Sequence, residues 1–284
     1  MRNKLFFFIS MLLLITTNNI QTQDVTDALA RMERAINSSE EEFTLRDSYY
    51  LGRAVAAQIL SRYSLYNERP DLINYLNLIC YALAINSHSP NWFNGYYVML
   101  LDDHAFNAFS TPGGHIFISR GLIELTSSED MLAAIIAHEM AHIQLQHGIA
   151  NIMHHRLIEN LGQERTRIIQ NSRIETQHQT FAEFVNKIIE TLLIGGFSQL
   201  QEFEADSFAF TLLRITGYDA VSLIELLGML ERQNQNKIGN LNTSHPLPAQ
   251  RIANLERQIP VHRMTRNNFV RMDRFNRIMG RNLQ

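Results

Sequence analysis

The sequence predicts an α+β chain that is mainly helical, with a small antiparallel sheet beside a long helix. Apolar residues recur at three- and four-residue spacing over most of the length, which is the period of a helix with one buried face. Between Tyr96 and Ser119 that period gives way to strand-favouring residues broken by turn signals. No internal repeat and no Pro- or Ser-rich linker divides the chain, so one main domain is the simpler organisation. With 284 residues, 45% of them hydrophobic, the chain can bury a sizeable core and is not disordered throughout. A net charge of -3 and a pI near 6.4 argue against a general nucleic-acid binder. The single cysteine, Cys80, excludes an intrachain disulfide and a Cys-rich metal site.

Residues 1–23 read as a signal peptide. Arg2 and Lys4 precede an apolar run from Leu5 to Ile15, followed by a polar stretch. That run is shorter than the ~20 residues a membrane-spanning helix needs and suits the apolar centre of a secretory leader. The competing reading is an uncleaved anchor continuing through Thr16 and Thr17. No cysteine follows, which argues against a lipid-modified N-terminus. The most apolar later window, Phe184 to Phe197, contains Asn186, Lys187 and Glu190, so no membrane span is expected in the mature chain.

The domain is expected over 24–261. Helical patterns cover Asp24 to Ile36, Leu45 to Tyr63 and Leu72 to Ile85, the last with Pro70 ahead of it. Strands are expected over 96–101, 105–110 and 115–119, with Thr111-Pro112-Gly113-Gly114 as a turn. Ser127 with Asp130 resembles a capping box. A helix then runs from Met131 to about Ile158. Residues 160–180 are polar and without clear period. Further helices are expected over Phe181 to Ile194, Leu200 to Ile215 and Val221 to Gln233, with a loop over 234–244. A basic tail, 262–284, sets six Arg against Asp273; its Phe269, Met272, Phe275 and Met279 could build a face for an anionic membrane, although a solvated terminal helix is the simpler reading.

The chemistry centres on His138-Glu139-Met140-Ala141-His142, an H-E-x-x-H string inside the predicted helix. Histidines four apart differ by about 40° around a helix axis, so both imidazoles can meet one ion. Glu139, about 100° from His138, could reach a water held there without ligating. Solvated surface histidines are the alternative, and the flanking apolar residues count against it. A catalytic zinc needs a third protein ligand. His147 falls on the far side of a continuous helix, and His154 and His155 lie too far along it. Downstream, Glu202 and Asp206 share a helix face, whereas Glu204 points away from both. Glu202 could bind zinc and Asp206 could hold the ring of His138 or His142. An acidic, solvated face explains the same spacing equally well.

Taken together, these motifs resemble the zinc metallopeptidases that include the CAAX prenyl endopeptidase and HtpX. Within that family the chain is most similar to the soluble periplasmic branch typified by the beta-barrel assembly-enhancing protease. The resemblance covers residues 45–260. It rests on Asn107-Ala108-Phe109, Pro112-Gly113-Gly114, Ser119-Arg120-Gly121-Leu122, His138 to His142, Glu202, Ala205, Asp206, Ser244-His245-Pro246 and Arg251. It implies a zincin-like fold holding one zinc ion through His138, His142 and Glu202, with Glu139 as general base and Asp206 behind the ligands. His245 would occupy the open zinc position and switch the site off; other readings have it pack its loop, or stabilise the oxyanion with Arg251. Gln199 stands where the family often has Arg. The tetratricopeptide-repeat module of the branch is not expected after Arg251. The implied activity is zinc-dependent endopeptidase action in the periplasm on misfolded or misassembled envelope proteins, with the outer-membrane assembly machinery as a further partner. The alternative is a chaperone-like quality-control factor with a mostly shut zinc site.

Overall fold

The computed structural model describes residues 44–90, 92, 94–154, 196–235, 245, 248–259 and 269–280. The leader over 1–23, the helices expected over 24–36 and 181–194, the polar stretch 160–180 and residues 236–244 of the expected loop lie outside the described residues, whereas 234 and 235, expected in that loop, end a helix.

The first helix, α1 (Leu45–Leu60), is closed at its start by a reciprocal capping box between Thr44 and Asp47. α2 (Pro70–Ile85) begins on the proline itself, whose missing N–H costs nothing in a first turn. Three strands follow: β1 (Tyr97–Leu101), β2 (Ala108–Ser110) and β3 (His115–Ser119). Their order is β1-β3-β2, with β1 parallel to β3 and β2 antiparallel to it. The sheet is therefore mixed, not antiparallel as the sequence suggested. The turn 111–114 folds β3 back on β2, while residues 102–114 carry the chain far enough for β3 to enter beside β1 in parallel. The central slot goes to β3, four of whose five residues are buried.

Ser119 ends the sheet and starts the next element. Its hydroxyl accepts from the Leu122 and Asn107 N–H groups and donates to the Ala105 carbonyl. It thereby caps a short helix that the periodicity missed, α3 (Arg120–Leu125). α4 (Glu129–Gln144) is capped by Ser128 rather than Ser127. Ser127 instead turns its hydroxyl to the Met131 sulfur, and Asp130 takes the Asp219 N–H at 2.7 Å. Every residue of α4 from Glu129 to Ile143 is buried. It forms the spine of the fold, packed by α2, β2 and the helices below.

α4 does not continue to Ile158. It stops at Gln144, Gln146 takes a left-handed φ of 55°, and residues 147–154 form a new helical segment. Next come α5 (Gln199–Thr216), α6 (Val221–Gln235), α7 (Pro248–Glu256) and α8 (Phe269–Met279). α5 opens on a Ser198–Gln201 capping box and closes on Gly217, whose φ of 96° suits glycine best.

α8 is no solvated appendage. Phe275 is fully buried in the main core, and Met279 packs against it. Arg274 grips Glu129 and Arg271 pairs with Asp130, both acids lying in the first turn of α4. The Tyr75 hydroxyl donates to the same Glu129 at 2.7 Å. Half of the apolar side proposed for a membrane thus faces protein, and two of the arginines anchor α8 to the start of the central helix.

The sheet is held beside the site by a close approach. A Cβ on Gly52 of α1 would overlap the backbone nitrogen of Gly113 in the β2–β3 turn. Gly52→Ala is expected to lower stability by about 1–3 kcal/mol, because backbone must move to admit the methyl. Thermal unfolding against a Val55→Ala control will show whether the loss comes from overlap or from general disturbance of α1.

Among the described residues, no helix is long and apolar enough to cross a membrane.

Candidate functional site

His138 and His142 project from the middle of α4 with their Nε2 atoms 3.1 Å apart. Four residues is the spacing that stacks side chains on one helical face, so local sequence alone dictates this pairing. α5 crosses α4 here and brings its buried face, Glu202 and Asp206, against the two rings. Glu202 Oε2 lies 3.5 Å from His138 Nε2, and Glu202 Oε1 lies 3.4 Å from His142 Nε2. Asp206 Oδ1 is 3.0 Å from His138 Nδ1, so it serves the first of the two histidines that the spacing allowed.

His245 joins from a distant part of the chain. Its Nδ1 is 2.7 Å from Glu202 Oε1, and its Nε2 is 3.4 Å from the Ala108 carbonyl and 3.6 Å from Glu139 Oε1. His138, His142, Glu202 and His245 each offer a ligand atom, all within 4.8 Å of one another, and this cluster could hold a metal ion.

The donor set fits such an ion. Ligands bonded to zinc at about 2.0–2.1 Å in a tetrahedron lie about 3.3 Å from one another. The separations among His138, His142 and Glu202 run from 3.1 to 3.5 Å. Two buried carboxylate oxygens here, Glu139 Oε2 and Glu202 Oε2, have no hydrogen-bond donor among the described residues. Glu202 Oε2 has ion-pair contacts with Arg251 Nη1 at 2.8 Å and with His138 Nε2 at 3.5 Å. A buried oxygen without a donor is costly unless something electropositive faces it.

Arg251, from α7, is buried beneath the cluster. Its Nε and Nη2 donate to the two oxygens of Asp206 at 2.8 and 2.6 Å, a two-pronged contact. Burial works against the Asp206 carboxylate, but Arg251 outweighs it and holds its pKa below the usual range. Burial also opposes the charge on Glu202, yet His245 and Arg251 bring its pKa well down. The paired imidazoles diverge. Burial and Arg251 act against a charge on His138, while Asp206 and Glu202 lift it to about 9. Burial keeps His142 well below its usual value. Glu202 is thus an anion and His142 a bare base, the forms in which these groups bind cations, whereas His138 must give up a proton to ligate.

Glu139 follows His138 on α4 and is buried beside the cluster. Its backbone carbonyl accepts from the Ser110 hydroxyl at 3.2 Å, tying β2 to this point of the helix. β2 has β3 as its one neighbour in the sheet, so its outer edge is unpaired among the described residues.

Three neighbours escaped the sequence reading. Phe197 stacks on His142 with ring centroids 3.8 Å apart. His147, expected to face away, lies 3.0 Å from His142 Nδ1, because α4 ends before it and the turn at Gln146 swings it back. Glu204 meets His147 at 3.2 Å. A left-handed residue is usually marked by glycine or asparagine, and here it is glutamine, so nothing in the sequence announced the break. Gln199, at the family's arginine position, bonds to Gln250 instead.

The chain is 24% identical over 246 residues to the beta-barrel assembly-enhancing protease of Yersinia pestis, covering 84% of this chain and 48% of that protein. It is 27% identical over 164 residues to the mitochondrial metalloendopeptidase OMA1 of Schizosaccharomyces pombe, covering 57% and 46% respectively. It is also 27% identical over 145 residues to the metalloprotease LoiP of Escherichia coli, covering 51% and 55%. The chain thus spans about half the length of these curated relatives. Residues 74–259, which include the whole cluster, match the pattern of peptidase family M48, and the chain belongs to that family.

Proposed function

We propose that the chain is a zinc-dependent endopeptidase. The observation that carries this reading is the convergence of His138 and His142 with Glu202, from a second helix, beside the buried carboxylate of Glu139. His138, His142 and Glu202 hold the metal. Zinc bound there would polarise a peptide carbonyl and acidify water. Glu139 takes the proton of the attacking water and passes it to the departing amine. Asp206 fixes the ring of His138, and Arg251 holds Asp206 and Glu202 in place. Because its guanidinium is already engaged by these two carboxylates, Arg251 is assigned to holding rather than to the oxyanion. A polypeptide substrate adds as a strand along the outer edge of β2, which leads it past Glu139.

The substrates proposed are misfolded or misassembled envelope proteins, met in the periplasm after export by the leader at 1–23. The leader's composition and the likeness to a protease named for beta-barrel assembly support this, as does family membership for the domain proposed over 24–261. The outer-membrane assembly machinery is the partner that likeness suggests. Purified mature protein is expected to carry one zinc per chain and to cleave casein, with cleavage lost on chelation and restored by zinc. Metal-free protein with full cleavage would refute the proposal.

The contact of His245 with Glu202 supports a second reading, a chaperone-like factor whose site is mostly shut. A neutral imidazole is a good zinc ligand, so His245 beside the cluster would compete with substrate for the open position. His245→Ala is expected to raise casein cleavage about 10-fold, the factor that about 1.4 kcal/mol of lost competition represents, and to promote self-cleavage. Unchanged cleavage would remove the shut-site reading.

A further inference from the structure

The way His142 is held follows from the geometry on its far side, provided the metal reading above is right. A ligating imidazole binds with one nitrogen and gives its other N–H to an acceptor, which fixes both tautomer and ring direction. For His138 that acceptor is Asp206. No carboxylate stands in the equivalent place behind His142 among the described residues; its Nδ1 meets His147 Nδ1 at 3.0 Å, and His147 Nε2 lies 3.2 Å from Glu204 Oε2. We propose that His147 and Glu204 form a two-member relay that positions His142 for metal binding.

Proton bookkeeping leaves one arrangement. His142 Nε2 faces His138 and Glu202 and must be bare to take a cation. The proton of His142 therefore sits on Nδ1 and is donated to His147 Nδ1. A neutral imidazole that accepts at Nδ1 carries its proton at Nε2. That is the nitrogen facing the Glu204 carboxylate. Each nitrogen in the line then has one partner of the right kind. Packing holds the line in place: His147 is buried, and Phe197 covers the face of His142. Glu204 is half exposed at the outer end, so the relay runs from the ligand to the protein surface.

The two histidine ligands are thus supported differently, one by a buried carboxylate and the other through an imidazole. His147 is a positioning residue. It touches neither substrate nor the proposed metal, and it acts through His142.

The test is metal affinity of the purified full chain after chelation, by zinc competition with a chromophoric chelator, together with the visible spectrum of the cobalt form. His147→Leu and Glu204→Ala are expected to weaken zinc binding about 10- to 100-fold and to alter the cobalt bands. His147→Asn, whose amide oxygen can stand where Nδ1 stood, is expected to recover most of the affinity. If His147→Leu fails to fold, Glu204→Ala, with its side chain half in solvent, decides the matter. Variants that bind zinc within about twofold of the parent, or an Asn variant as weak as the Leu one, would overturn the relay. A parent chain that binds no metal would sink the site reading itself, and the relay with it; an intact parent with unaffected variants sinks the relay alone.

Discussion

Glu139→Gln should bind zinc as the parent does and cleave peptide ~10²- to 10⁴-fold more slowly, the usual contribution of a positioned acid–base group. The substitution preserves shape and removes only the ability to take a proton. Glu139 lies on α4 with both histidines and 3.6 Å from His245 but is not among the residues whose ligand atoms cluster, and its Oε2 has no donor among the described residues. A carboxylate so placed is free to accept a proton from water rather than to ligate. The measurement is zinc content alongside single-turnover cleavage of a peptide. If the Gln variant loses its metal together with its activity, Glu139 is a ligand and not the general base. Retention of more than about a tenth of the activity would be equally damaging, because a general base is worth more than that.

The largest effect on stability is expected at Arg251. Asp206 and Glu202 are completely buried, and the Arg251 guanidinium is a permanent cation that both contact. Removing one member of a buried ion pair strands the other charge, at a cost of about 3–5 kcal/mol. Arg251→Ala should therefore unfold at markedly lower urea when chelator is present. Zinc should recover part of the loss, since a bound cation would offset the charge on Glu202. Arg251→Lys should rescue only partly, because an ammonium cannot reproduce the two-pronged contact with Asp206. An Arg251→Ala chain of parental stability but low kcat would instead restore the oxyanion role.

Much of the fold was legible from local pattern. The helical period placed α1, α2, α5 and α6 to within a few residues, and Pro70 and Gly217 mark ends they are chemically suited to mark. The pairing of His138 with His142 and of Glu202 with Asp206 follows from i,i+4 geometry alone. That the two pairs meet, although far apart in the chain, does not follow from periodicity; the demand of a metal for a third ligand and the family likeness point to it.

Other features were beyond local reasoning. Ser127 and Ser128 are equal as caps in sequence, and the choice fell to Ser128 once Asp130 was claimed by Asp219 and Arg271 from far along the chain. The sheet looked antiparallel because consecutive strands usually pair with their neighbours, yet β3 took the centre, hydrogen-bonded on both sides, with four of its five residues buried.

What the sequence by itself determined is what neighbours within a turn or two dictate: helical faces, caps, and the shared face of the two histidines in the H-E-x-x-H string. Tertiary structure alone decided strand order, the anchoring of α8 on the first turn of α4, and the return of His147 onto His142. The physical reason is range. Periodicity and capping are set by contacts a few residues apart, whereas these three features depend on which distant surfaces bury one another best, and on whether that burial outweighs a local cost such as the left-handed turn at Gln146.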